Sequence, residues 1–117
     1  MDGRLITVVE TRQFQQRAAT RMSDEERQAF ITYIATDPEA GVIVPSTGGV
    51  RKVRWGVDAR GKRGGLRVMY YYHDEQMPIF LLTVFAKNEK DDISESEKRV
   101  MRQVIPLLLK EYHRRAP

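Results

Sequence analysis

The spacing of apolar residues changes along the chain, and each change marks an element. Leu5–Glu10 (LITVVE) is short and β-branched, which predicts a strand. Thr11 is placed to cap a helix on which Phe14 and Ala18, four apart, share a face. Ser23-Asp24-Glu25-Glu26 reads as a capping box, so a second helix starts there with Phe30, Ile31 and Ile34 as its apolar stripe. That helix stops before Asp37-Pro38, because a residue preceding proline avoids the helical region. Residues 36–49 (TDPEAGVIVPSTGG) form a connection with two prolines and three glycines. Strands are predicted at Val50–Trp55 and Leu66–His73, separated by a glycine-rich loop at 56–65 (GVDARGKRGG). Asp74–Pro78 forms a turn, where a proline costs no ladder hydrogen bond. Ile79–Ala86 (IFLLTVFA) is apolar on both faces and predicts a central strand. Ser94-Glu95-Ser96-Glu97 opens a C-terminal helix with Val100, Val104, Leu107, Leu108 and Tyr112 on or near one face. Pro106 is expected to kink or break it. The order β-α-α-β-β-β-α predicts an α+β fold: a mainly antiparallel sheet with the helices packed on one face.

The chain has 117 residues, 41% of them hydrophobic and 31% charged, which fits a single domain over residues 1–117 with its own core. No apolar window is long enough to span a membrane. The opening MDGRLITVVE lacks the pattern of a secretory signal, and there is no cysteine; a cytoplasmic setting is expected.

Charge adds the feature that the hydrophobic pattern hides. The net charge is +4, but residues 51–67 hold seven of the chain's 20 Lys and Arg and one of its 16 Asp and Glu. These are Arg51, Lys52, Arg54, Arg60, Lys62, Arg63 and Arg67 against Asp58. The rest of the chain is mildly acidic. A polyanionic partner accounts for such a concentration, since clustered cations bind phosphates and release counterions. A basic surface loop kept for solubility is the alternative, although solubility charges are usually mixed in sign.

Neither a metal site nor a cofactor is expected. His73 and His113 lie forty residues apart, without zinc spacing. Asp74-Glu75 and Asp91-Asp92 fall at a turn and a helix start, where carboxylates favour the helix dipole. GKRGG lacks the strand–loop–helix setting of a phosphate loop. What remains is cationic chemistry on strands. Lys52 and Arg54 share a strand face, Arg67 is in phase with Met69 and Tyr71, and Lys87 is in phase with Thr83 and Phe85. If these strands are neighbours, the four cations converge on one phosphate. Held there, they stabilise the charge that develops when an RNA 2′-hydroxyl attacks the adjacent phosphorus. Tyr70 and Tyr72 belong with Leu66 and Val68 in the core, as does Trp55. For Tyr71, core packing and contact with RNA both stand open.

The runs TGGVRKVRW, GKRGGLRVMYYYHDE and FLLTVFAKNEKDDISESE resemble the RelE/HigB-type toxins of bacterial type II toxin–antitoxin modules, with the HigB-like branch nearest. The resemblance covers about Leu5 to Gln103. It implies a compact, RNase-like α+β fold and metal-independent endoribonuclease cleavage of messenger RNA on the translating ribosome. It also implies neutralisation by a cognate antitoxin, with operator DNA bound only through that antitoxin. Lys52 and Arg54 match the family's basic pair, Arg67 the arginine on the scissile phosphate, and Lys87 with Asn88 the cationic turn. The catalytic set is then Arg67, Lys87, Lys52 and Arg54, with Lys87 and Lys52 first for proton transfer and Glu89 a further candidate. Arg51, Arg60, Lys62, Arg63, Tyr71, Asn88 and Lys90 are the expected RNA contacts, and the glycine loop is expected to be mobile in the free protein. The chain departs from the pattern in two places: some members carry an arginine where Asn88 stands, and a tyrosine near the C-terminal end where this chain reads Asp92-Ile93-Ser94. A non-catalytic RNA- or DNA-binding or corepressor module, using the same basic surface, is the competing class. A toxin that has lost catalysis is a third. Any exposed part of the Val100–Leu108 stripe would be the antitoxin's docking surface.

Overall fold

The structure is a computed structural model that describes residues 6–56 and 65–115. Five strands form one mixed sheet: β1 (Val8–Glu10), β2 (Val42–Ile43), β3 (Arg51–Trp55), β4 (Leu66–Tyr71) and β5 (Ile79–Ala86). Their spatial order is β1-β5-β4-β3-β2. β1 runs parallel to β5, and the other three pairings are antiparallel. The helices are α1 (Arg12–Ala18), α2 (Asp24–Thr36) and α3 (Glu95–Arg115).

The capping signals act as read. The Thr11 hydroxyl accepts the Phe14 N–H, and Ser23 and Glu26 close a reciprocal box at the start of α2. At α3 the Glu97 N–H reaches Ser94 Oγ at 3.1 Å while the Glu97 carboxylate takes the Ser94 N–H at 2.7 Å. β2 is an addition to the expected order. Two residues inside the 36–49 connection pair with Lys52 and Arg51 of β3. The following turn needs positive φ at Ser46, Gly48 and Gly49, and Gly48 lies against Arg102 and Ile105 of α3.

The core has two halves, one on each side of the sheet. Val53, Leu66, Val68, Tyr70, Ile79, Leu81 and Val84 pack with Phe14, Ala18, Phe30 and Ile34 from α1 and α2. Met69, Tyr71 and Phe85 pack with Met101 and Ile105 from α3. The expectation of helices on one face is therefore corrected: α1 and α2 cover one face and α3 the other. β5 serves both halves by alternation, and its register against β4 shifts between Met69 and Tyr70, leaving Leu82 as the extra residue of a bulge that puts Ile79 and Leu81 on the same side as Val84. α3 runs through Pro106 without a break. Pro106 and Arg102 are both exposed, so the carbonyl four residues back loses its helical partner where water replaces it. The buried stripe of α3 is Met101 and Ile105, whereas Val100 and Leu107 are 55% and 64% exposed.

Candidate nucleic-acid interface

Strand register decides which cations meet. Arg54 lies opposite Arg67, and Arg67 lies opposite Phe85. One step along, Lys52 faces Met69, and Met69 faces Thr83. Met69 and Phe85 belong to the half-core under α3, so Lys52, Arg54 and Arg67 all stand on the α3 side of the sheet. Directly opposed residues hold their Cβ atoms about 4.5–5.5 Å apart. The two arginines are thus cross-strand neighbours of like charge, an arrangement that costs stability unless opposite charge offsets it. Lys87 follows at the end of β5, and its N–H reaches the Gly65 carbonyl at 3.4 Å, at the base of the glycine loop. Arg54 and Lys87 are exposed, and among the described residues neither makes an ion pair.

The other cations on this side are already engaged. Lys52 Nζ is 3.3 Å from Asp92 Oδ1, and that oxygen also accepts the Ile93 N–H at 2.8 Å. Burial opposes charge on Asp92, but the Ile93 N–H and the Lys52 and Lys98 charges outweigh it and hold the carboxyl below its ordinary range. Lys90 sits 5.0 Å over the Phe85 ring and donates to both Glu97 oxygens at 2.9 and 2.8 Å. It ties the cap of α3 to the sheet. Burial opposes charge on Glu97 too, yet Lys90 and the Ser94 N–H keep its carboxyl low.

Several expected contacts lie elsewhere. Arg51 projects to the opposite side of β3 from Lys52, where it donates to the Gly41 carbonyl at 2.8 Å and sits 3.7 Å from Glu39. A period of two makes that unavoidable once its neighbour faces α3, so Arg51 is not part of the cluster. Tyr71 is 6% exposed within the α3 half-core, leaving no ring face for a base to stack on; of its two open readings, packing is the observed one. Asn88 is exposed beside Lys87. Glu89 pairs with Arg21, not with Lys87 or Lys90, at 2.7 Å. The Arg21 hydrogen bonds and the Ala86 N–H hold its carboxyl at about 2, which makes it a poor proton acceptor. Arg60, Lys62, Arg63 and the expected mobility of their loop lie outside the described residues.

Two contacts had no reading in advance. Asp92 showed only a helix-start position, and nothing in local spacing joins it to Lys52. Arg21 lies 68 residues from Glu89, beyond any local pattern. On α3, the exposed Val100 borders a groove of about 350 Å³ lined with Thr11, Leu82, Met101, Val104 and Ile105.

The fold has a solved counterpart. A free-state structure of E. coli toxin RelE carrying two arginine-to-alanine changes superposes with a TM-score of 0.54 at 13% identity, over 89% of this chain and 99% of that one. At that identity the likeness concerns the fold. The sequence itself matches the model of the family described as the RelE toxin of the RelE / RelB toxin–antitoxin system over residues 6–114. With residues 6–114 matched by the family model and the overall fold shared, this protein belongs to the RelE toxin family.

Proposed function

We propose that this toxin cuts messenger RNA on the ribosome without a metal, and that Arg54 and Arg67 bind the scissile phosphate. The observation that carries the reading is the cross-strand pairing of Arg54 with Arg67, flanked by Lys52 and Lys87. Two guanidinium groups in that position offer several donors to phosphoryl oxygens and gain most when negative charge builds there. A site so rich in fixed cations repels a divalent metal and supplies the same charge itself. The 2′-hydroxyl acts as nucleophile, so DNA is not a substrate. Lys87, exposed and without an ion pair among the described residues, is the first choice for proton transfer. Lys52, tied to Asp92, serves phosphate binding first. The loop cations Arg60, Lys62 and Arg63 anchor flanking phosphates of messenger or ribosomal RNA. The HigB-like affinity, a cytoplasmic setting and operator binding through the antitoxin belong to the same reading. So does docking of the antitoxin on α3, where Val100 and Leu107 are exposed.

Induced expression in bacteria tests the reading, with wild type beside Arg67→Ala and messenger ends mapped by primer extension. Wild type is expected to arrest growth with new cuts inside translated frames. Arg67→Ala is expected to lose about 10²–10³ in cleavage rate while keeping its fold and its antitoxin. A soluble, folded wild type that cuts nothing would remove the nuclease reading. The engagement of Lys52 and Lys90 by Asp92 and Glu97 favours a second reading, a binding or corepressor module. That module would lose affinity in graded steps as each cation is removed.

A further inference from the structure

The turn that carries Lys87 has no apolar anchor. Lys87, Asn88 and Glu89 are all exposed, so packing does not fix where this stretch stands. Backbone hydrogen bonds and charge hold it instead. Arg21, in the link between α1 and α2, donates from Nε to Glu89 Oε1 at 2.7 Å and from NH2 to Oε2 at 2.8 Å. This is a two-point fork, the geometry in which arginine holds a carboxylate in a fixed orientation. Arg21 is itself held by the Arg17 carbonyl at 3.0 Å and Thr20 Oγ1 at 3.1 Å. Glu89 Oε1 also accepts the Ala86 N–H at 2.7 Å, and the Glu89 N–H returns to the Ala86 carbonyl at 3.0 Å. Side chain and backbone together close the turn, with Lys87 inside it.

We infer that Arg21 and Glu89 are positioning residues that hold Lys87 at the edge of the Arg54–Arg67 pair. The inference rests on the proposed site but adds residues outside it. The pair has a second effect. Glu89 lies two residues from Lys87 and is its nearest acid in sequence. With both oxygens occupied by Arg21 and the Ala86 N–H, that carboxylate does not neutralise the lysine. A surface ion pair of this kind contributes little to global stability. Its worth lies in orientation, where a displacement of about 1 Å costs on the order of 10²-fold in rate.

The experiment compares Lys87→Ala, Glu89→Ala, Glu89→Gln, Arg21→Ala, Arg21→Lys and the double variant Lys87→Ala/Glu89→Ala. Arg27→Ala, which breaks separate ion pairs to Glu10 and Asp24, is the control. Two readouts are taken: single-turnover cleavage of ribosome-bound message, and affinity for a short 2′-O-methyl RNA that cannot be cut. Glu89→Ala and Arg21→Ala are expected to slow cleavage about 10–100-fold while melting like Arg27→Ala. Glu89→Gln keeps an acceptor for the Ala86 N–H and falls between, and Arg21→Lys recovers part of the rate. The double variant is no slower than Lys87→Ala alone, because Glu89 acts through Lys87. Losses that multiply in the double variant, or wild-type rates for Glu89→Ala, overturn the inference. A wild type that fails to cut removes the nuclease reading instead. The same non-additivity in RNA affinity then decides whether the pair positions Lys87.

Discussion

Tyr70 links the buried centre of the sheet to the 36–49 connection through its hydroxyl. The ring is fully buried, and the phenol donates to the Pro38 carbonyl at 2.8 Å and accepts the Gly41 N–H at 2.9 Å. Burial raises its pKa against the opposing Gly41 N–H, so the neutral donor persists. Tyr70→Phe strands the Gly41 N–H and the Pro38 carbonyl, and a loss of about 1–3 kcal/mol is expected in urea unfolding. Gly41 is fixed by the same contact. A Cβ there would stand 2.7 Å from the Lys52 carbonyl and 3.0 Å from the Tyr70 ring. Gly41→Ala is therefore expected to cost about 1–3 kcal/mol by forcing backbone apart. At this scale alternation was legible: it separated Tyr70 from Tyr71 and paired Lys52 with Arg54. The same alternation puts Arg51 on the face away from Lys52 and Arg54; which elements cover each face was beyond its reach.

The turn after β5 and the cap of α3 are elements held by carboxylates that stay ionised. Glu89 is held at about 2, and Asp92 and Glu97 lie below their ordinary values. A depressed carboxyl stabilises the fold above its unfolded pKa and loses that contribution as pH falls through the folded one. For Glu89 the window runs from about pH 4.5 down to about 2. Glu89→Gln is expected to be less stable than wild type by about 1 kcal/mol at neutral pH. The gap should close across that window in denaturant titrations at stepped pH. The capping boxes at Ser23 and Ser94 were readable because their chemistry is local. The stripe of α3 was not. Apolar residues at 100, 101, 104, 105, 107, 108 and 109 cover too much of the helix for periodicity to select Met101 and Ile105 over Val100 and Leu107. β2 escaped notice because two exposed residues carry no period at all.

Across the whole molecule, a thin cationic surface lies on the α3 side of the sheet, and its reading as an RNA surface predicts a salt signature. Each phosphate contact on a single strand contributes ~0.7 to the slope of log affinity against log salt. Arg54→Ala is expected to lower that slope by about one such step, measured by fluorescence anisotropy on single-stranded RNA. Arg51→Ala, on the other face, should leave it unchanged. The concentration of charge in residues 51–67 was visible from composition alone. The engagement of Lys52 needed the third dimension, because its partner Asp92 comes from a segment forty residues away.

The parallel pairing of β1 with β5 joins residues about 70 apart, as in the Thr11 hydroxyl bond to the Leu81 carbonyl. β3, β4 and β5 follow one another in sequence and pair as antiparallel neighbours. Loop closure is costly for the first and cheap for the second, so the folding transition state should contain the hairpins that carry Arg54 and Arg67 and lack the N-terminal strand. Val8→Ala would then speed unfolding with little effect on the folding rate, whereas Val68→Ala would slow folding. Both appear as separate arms of a chevron plot, and equal effects on the two folding arms would refute this order. The chain would assemble its cation row early, and closing the sheet at β1 would be the late step.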